Sequence, residues 1–307
     1  MSFLASVKVG HVDSNRKLLI AGESGVGKST AACSGEGVVA IDPCGGTDRI
    51  DVARLSSPNG AWTWPMLIEA VNELCEQDHD YSRLVIDELG HWENLSWRYL
   101  CQQHGKENIE SWGYGQGYKL ALDEWGRLLA KLERLREKME IVLVVHSHAK
   151  PYRNPEGPDY DRMVPNLNTA LSAKLRGWCD TVLFARFLDT TAKKDTGRSI
   201  GITGARVFET THSATWDAKN RDGLPARLPL DWDTYQEAVD RGSPGTPEEL
   251  AADIEALLGK LDKAKERYVK AKMKQAGEDC TKLKMVLNYA QTHASTETEG
   301  ESNDHSR

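Results

Sequence analysis

The chain has 307 residues, 39% of them hydrophobic, and a formal net charge of −7. That length supports one sizeable domain with a real core plus an extension, and the acidic balance argues against a protein that coats duplex DNA everywhere, while leaving room for a local basic groove. No run of about 18 apolar residues occurs, so no membrane partner is expected, and the opening "MSFLASVKVGHVDSNRK" lacks the apolar core of a signal peptide, so the expected location is cytoplasmic. Six scattered cysteines without a CxxC pair read as reduced thiols, not as a zinc site.

Five short, nearly continuous apolar runs read as strands buried on both faces: "KLLIAG" (17–22), "GVVAID" (37–42), "RLVIDE" (83–88), "EIVLVVHSH" (140–148) and "DTVLFARF" (180–187). Apolar residues at three- and four-residue spacing predict helices over 62–77 and 121–139. Strands alternating with helices imply an α/β fold, a mostly parallel twisted sheet flanked by helices. "ARVFETT" and "HSATWDAKN" read as a late antiparallel hairpin. Residues 1–240 form the expected core and 241–247 a Gly/Pro/Ser linker. A C-terminal helical extension follows over 248–290, and a polar tail over 291–307 is expected to be disordered. Thr246, Pro247 and Glu249 read as the N-terminal cap of one helix running to about Lys274, with a basic later part.

The first strand leads into "GESGVGKST" (22–30), a full match to G-x-x-x-x-G-K-[ST]. Glycines let a backbone wrap close and aim its N–H groups at phosphate oxygens, and the start of the next helix adds partial positive charge. Gly22, Glu23, Ser24, Gly25, Val26, Gly27, Lys28, Ser29 and Thr30 are thus the candidate nucleotide-binding residues, with ATP and Mg2+ as the expected cofactors. Lys28 would reach the β- and γ-phosphates, Ser29 would ligate Mg2+ and Thr30 would stand near the α-phosphate. Asp87, ending "LVID", is the second candidate metal residue. Glu88 beside it reads either as a group that polarises the attacking water or as a solvated acid at a strand end. His146, at the end of "LVVH", reads as a γ-phosphate sensor or as a histidine at a sheet edge. Lys219 and Arg221 in "DAKNRDG" project from one face of an extended segment. They suit a finger reaching a neighbouring subunit's nucleotide, or are two surface cations near a turn.

"SWGYGQGYK" (111–119) is too rich in glycine for a stable helix and has no strand alternation, so it reads as a flexible loop. Trp112, Tyr114 and Tyr118 could stack on bases, and Lys119 could meet phosphate. A second long loop is expected over 149–167, offering Lys150, Arg153 and Arg162. Both loops also carry acids, and aromatics at a subunit interface would have the same pattern.

Over about residues 15–240 the chain resembles the phage-encoded RecA-like P-loop ATPases, a group that includes RecA-core-type single-strand annealing recombinases. The matching stretches are "GESGVGKST", "AIDPCGGTDRI", "LVIDE", "CQQHGKENIESWGYGQGYKLALDEW", "VVHSHAKPYRNPEGPDYDRMVPNL", "WCDTVLFARF" and "DAKNRDGLPARLPLDW". The resemblance implies a RecA-like P-loop NTPase core, self-assembly into a ring or filament, binding and annealing of single-stranded DNA, and a K-x-R pair acting across subunits. A single-strand-binding protein is a further expected partner. One departure stands out: where the family pattern has a catalytic glutamate after the second strand, this chain has Cys44 in "IDPCGG". A thiol is a poor general base, so hydrolysis is expected to be slow or to rely on Glu88. Two alternatives stay open, a non-hydrolysing nucleotide-dependent assembly module and a helicase- or packaging-type motor.

Overall fold

Six consecutive buried residues make β1 (Lys17–Gly22), because apolar side chains on both faces must be covered on both sides. This is a computed structural model, which describes residues 7, 14–188, 190–193, 199–202, 204–242, 247–277 and 280–294. After β1 come α1 (Lys28–Ala32), β2 (Val38–Ile41), β3 (Ala53–Leu55), α2 (Trp64–Glu76), β4 (Arg83–Ile86), α3 (Leu89–Gln103), α4 (Gln116–Leu135), β5 (Glu140–Tyr152) and β6 (Tyr160–Pro165). Then follow α5 (Thr169–Trp178), β7 (Thr181–Phe187), β8 (Thr190–Lys193), β9 (Ser199–Ile202), β10 (Arg206–Glu209), β11 (Arg227–Pro229), α6 (Trp232–Gly242), α7 (Pro247–Leu258), α8 (Lys263–Ala276) and α9 (Cys280–His293).

The main sheet runs β11-β10-β7-β1-β5-β4-β2-β3. From β7 to β3 every pairing is parallel, while β10 and β11 close one side antiparallel. Leu19, Ile41, Ile86, Leu143 and Val145 meet Trp64, Trp92, Trp125 and Leu132 of α2, α3 and α4 in one core, and α5 adds Leu171 and Leu175. Residues of opposite parity, Leu18, Ile20, Val142 and Val144, are also fully buried, so the sheet is a covered central layer. The fold is a mostly parallel α/β sheet flanked by helices, the architecture of a P-loop NTPase core.

The chain divides into two compact units, Met1–Glu237 and Ala238–Arg307. In the second, α7, α8 and α9 bury Leu250, Ile254, Val269, Leu283 and Ala290 among themselves. The single helix expected to reach Lys274 is broken: α7 ends at Leu258, and Asp262 caps α8 by accepting from the backbone N–H groups of Ala264 and Lys265 at 3.1 and 2.9 Å. Gly259 and a capping aspartate outweigh the apolar stripe there. Thr246 and residues 295–307 lie outside the described residues. Among the described residues no helix is long and apolar enough to cross a membrane.

Three further expectations are corrected. The stretch 111–119 is not a flexible loop. A 3-10 turn at Ile109–Trp112 is boxed by Asn108 and Ser111, and α4 already begins at Gln116. Gly117 is needed here for contact, since a Cβ on it would stand 2.0 Å from the Ile109 carbonyl oxygen, while Gly113 and Gly115 supply the positive φ, +70° and +72°, of the turn into α4. The stretch 149–167 is largely a hairpin, with β5 continuing to Tyr152 and pairing antiparallel with β6 from Ser147↔Pro165 to Tyr152↔Tyr160. "HSATWDAKN" forms no strand beside β10; β10 pairs with β7 and β11, and the stretch makes only isolated bridges, Met163↔Trp216 and Val182↔Lys219.

Candidate functional site

Parallel strands deliver their following loops to one edge of the sheet, and there the site assembles. The end of β1 lies between two neighbours, Gly22 aligning with His146 of β5 and with Ala185 of β7. One strand further, Asp87 follows Ile86 and donates its backbone N–H to the Ile41 carbonyl. The register therefore brings together residues 22–30, Asp87, Glu88 and His146, although more than a hundred positions separate the first from the last.

The loop turns into α1 at Gly27, which has φ +106°, a left-handed conformation that a side chain would strain. α1 has only five residues, so the loop's own N–H groups, more than a helix dipole, are what an anion would meet. Lys28 is buried; its ammonium donates to the Glu23 carbonyl at 2.8 Å and lies 3.0 Å from His146 Nδ1. Burial pulls its pKa down to about 8 against the opposing charges of Asp87, Glu88 and Glu23. Burial and the Lys28 charge hold His146 below its ordinary value, so its ring is neutral and Nδ1 can accept from Lys28.

Asp87 is 5% exposed and accepts a hydrogen bond from the Ser29 side chain. Burial pushes its pKa up to about 6, with the Asp42 carboxylate adding to the rise and the Ser29 bond and Lys28 opposing it. A buried, desolvated carboxylate against a hydroxyl is a hard oxygen pair that suits Mg2+, whose charge would offset the desolvation. No cluster of three His, Cys, Asp or Glu side chains able to hold a metal occurs among the described residues. Ser29 and Asp87 would therefore hold the ion together with water and phosphate oxygens; its chemistry would be charge neutralisation on the phosphates.

Glu88 is half-buried and held by backbone groups. It caps α3, and its Oε1 accepts from the backbone N–H groups of Gly90 at 3.1 Å and His146 at 3.3 Å. Cys44 is exposed and donates its backbone N–H to Asp42 at 2.8 Å. Burial and the carboxylates of Asp42, Glu88 and Asp87 push its thiol up to about 11, so it is protonated at neutral pH and cannot take a proton from water. Asp42 is engaged in its own turn, accepting from Thr47 N–H and hydroxyl at 2.6 and 2.9 Å.

Lys219 and Arg221 stand at the opposite edge. Lys219 bridges to Val182, whose register partner is Leu19, near the start of β1. Its ammonium donates to the carbonyls of Arg176, Gly177 and Cys179, closing the end of α5, and Arg221 pairs with Asp180 at 3.6 Å. Neither reaches the loop of its own chain.

The nucleic-acid candidates divide by exposure. Trp112 is half-buried with its ring edge to His104, while Tyr118 packs edge-on to Trp97 and donates its hydroxyl to Glu110 at 3.2 Å. Tyr114 is fully exposed at φ +48°, and Lys119 is exposed beside it. On the β5–β6 hairpin Lys150, Tyr152 and Arg153 are exposed, but Arg162 is half-buried and paired with Asp217. Two residues without a motif also matter. Glu93 is buried on α3. Arg206, the first residue of β10, lies so close to the phosphate loop that a Cβ on Gly27 would stand 2.9 Å from its Nη1.

Fold and loop together define a P-loop ATPase-type nucleotide site. Residues 14–222 match the family model described as an AAA domain, and the chain belongs to that family. No curated protein matches the chain.

Proposed function

We propose that this AAA-domain ATPase is a RecA-like phage recombination protein, acting in the cytoplasm of the host cell, that binds single-stranded DNA and promotes annealing under the control of bound ATP. The observation that carries the reading is the continuity of β5. At His146 the strand touches Lys28 of the phosphate loop, and four to seven residues later come the exposed Lys150, Tyr152 and Arg153 of a hairpin. Cations that meet phosphates and an aromatic face that stacks on bases are what sequence-tolerant single-strand binding needs. Tyr114 and Lys119 offer the same pair of groups on the turn before α4. A nucleotide that draws Lys28 away from His146 acts on the root of the strand that carries the hairpin, which links the two sites. Lys219 and Arg221, remote from their own loop, fit a role on a neighbour's nucleotide in a ring or filament.

The test is binding of fluorescent oligo-dT without nucleotide, with ADP and with a non-hydrolysable ATP analogue, across a salt series. The expected result is affinity that changes about tenfold with nucleotide state and weakens with salt. No binding in any state would overturn the recombinase reading.

The state of Cys44 favours slow turnover, or a nucleotide-dependent assembly module that does not hydrolyse. Its thiol is protonated, and Glu88, the alternative base in the sequence, has Oε1 committed to two backbone N–H groups. Cys44→Glu should raise steady-state ATP turnover about a hundredfold, at the lower edge of what a positioned base supplies. Unchanged turnover would show that this position is not where the missing base belongs.

A further inference from the structure

The phosphate loop is poor in positive charge for a site meant to hold a polyphosphate. Asp87, Glu88 and Glu23 all act on Lys28, and Asp42 acts on Asp87. The cation by the Asp42 turn is engaged elsewhere: Arg54 donates to Thr47, Ile50 and Val52. Lys28 alone cannot balance four carboxylates and an incoming triphosphate, even with one divalent ion.

Arg206 is placed to supply the deficit. β10 runs antiparallel to β7, so its first residue comes to the edge where β1 ends. Ala185 aligns with both Gly22 and Phe208, and the Phe187–Arg206 pair lies two residues further on, roughly 7 Å beyond the start of the phosphate loop. The backbone there is fixed, since Leu230 donates its N–H to the Arg206 carbonyl at 3.0 Å. The Leu230 side chain closes on Gly27 from the same side. The Arg206 side chain is exposed, and among the described residues its guanidinium has no hydrogen bond or ion pair. Its Nη1 stands against Gly27, in a loop whose backbone N–H groups are themselves donors, so neither the guanidinium nor those groups can satisfy the other. An anion between them satisfies both.

We infer that Arg206 is a second cation for the phosphates of the bound nucleotide, acting within its own chain. The inference rests on the nucleotide-site reading of residues 22–30. It separates Arg206 from Lys219 and Arg221, which need a neighbouring subunit, and predicts a contact that survives dissociation of any oligomer.

The experiment measures the affinities of wild type, Arg206→Ala, Arg206→Lys and Lys28→Ala for fluorescent ADP and a non-hydrolysable ATP analogue, with the melting temperature of each nucleotide-free protein. Arg206→Ala should bind about tenfold more weakly, the loss of one charge-assisted hydrogen bond, with its nucleotide-free melting temperature unchanged. Arg206→Lys should recover part of that loss, and dilution should not remove the effect. A loss for the ATP analogue alone also supports the contact and assigns it to the terminal phosphate. Unchanged affinity in Arg206→Ala, with binding still lost in Lys28→Ala, would overturn the inference and leave the nucleotide site standing. The same holds if affinity falls only together with the melting temperature and Arg206→Lys restores neither. Wild-type protein that binds neither nucleotide would overturn the site reading and this inference with it.

Discussion

Lys28→Ala should weaken nucleotide binding about a thousandfold while the protein stays folded. The ammonium is held at the mouth of the loop by a carbonyl and a neutral imidazole, Glu23 O and His146 Nδ1, and both are weaker partners than a phosphate. Two charge-assisted bonds to phosphate oxygens, each worth about 1.5–3 kcal/mol, amount to about 4 kcal/mol, which is the thousandfold. The nucleotide-free protein loses much less. Truncation leaves the Glu23 carbonyl and His146 Nδ1 without their donor, but it also removes a buried cation whose desolvation is the largest influence on its pKa. These effects oppose each other, so the free energy of unfolding in urea should change by no more than about 1 kcal/mol. Titration with a fluorescent ATP analogue reads the first quantity and urea unfolding the second. Wild-type affinity in the variant would remove the phosphate loop from the nucleotide site.

The parts of this arrangement that were legible in the sequence are those whose signal is local. "GESGVGKST" is contiguous, and Asp87 and His146 each end an apolar run, so strand assignment alone put them at one sheet edge. Where a signal is spread over the fold it was lost. The three glycines of "SWGYGQGYK" suggested a mobile loop because their cost in a helix is a local property. What repays it, the approach of Gly117 to Ile109 and the packing of Tyr118 on Trp97, exists only once α3 and α4 meet. The hairpin after His146 was hidden by Pro, Gly and charge, since its pairing depends on backbone more than on apolar side chains. Glu88 read either as a water-polarising group or as a solvated acid, and its hold on the backbone was not legible because one of its partners lies 58 positions away. Arg206 had no motif at all; only the antiparallel register of β10 brings it to Gly27.

Glu93→Gln should make the protein more stable at pH 8 and slightly less stable, by about 1 kcal/mol, at pH 4.5. Glu93 is 5% exposed, and both its oxygens accept from the Asn168 backbone N–H, at 3.0 and 3.1 Å. Burial pushes its pKa up to about 7; the Asn168 bond opposes the rise and the Glu88 charge adds to it. An unfolded chain titrates this group near 4.5. Between those values the folded state binds more protons than the unfolded one, so stability falls as pH rises through the window. The favourable contribution is whole below about 4.5 and gone above about 7, a swing of about 3 kcal/mol. Glutamine keeps an acceptor for Asn168 and is neutral throughout, but it brings an N–H2 group that needs an acceptor of its own, which returns about 1 kcal/mol. Urea unfolding at pH 4.5, 6 and 8 should therefore show the variant ahead by about 2 kcal/mol at pH 8, with the gap closing on acidification and reversing to about 1 kcal/mol in favour of wild type at pH 4.5. A gap of the same size at all three values would mean that Glu93 acts by packing and not by charge. The position of this acid gives the cost a context. Asn168 caps α5, and two residues before it Asn166 donates its N–H to the His146 carbonyl. The buried carboxylate thus ties α3 to the segment joining the hairpin and α5, next to the backbone that meets the phosphate loop.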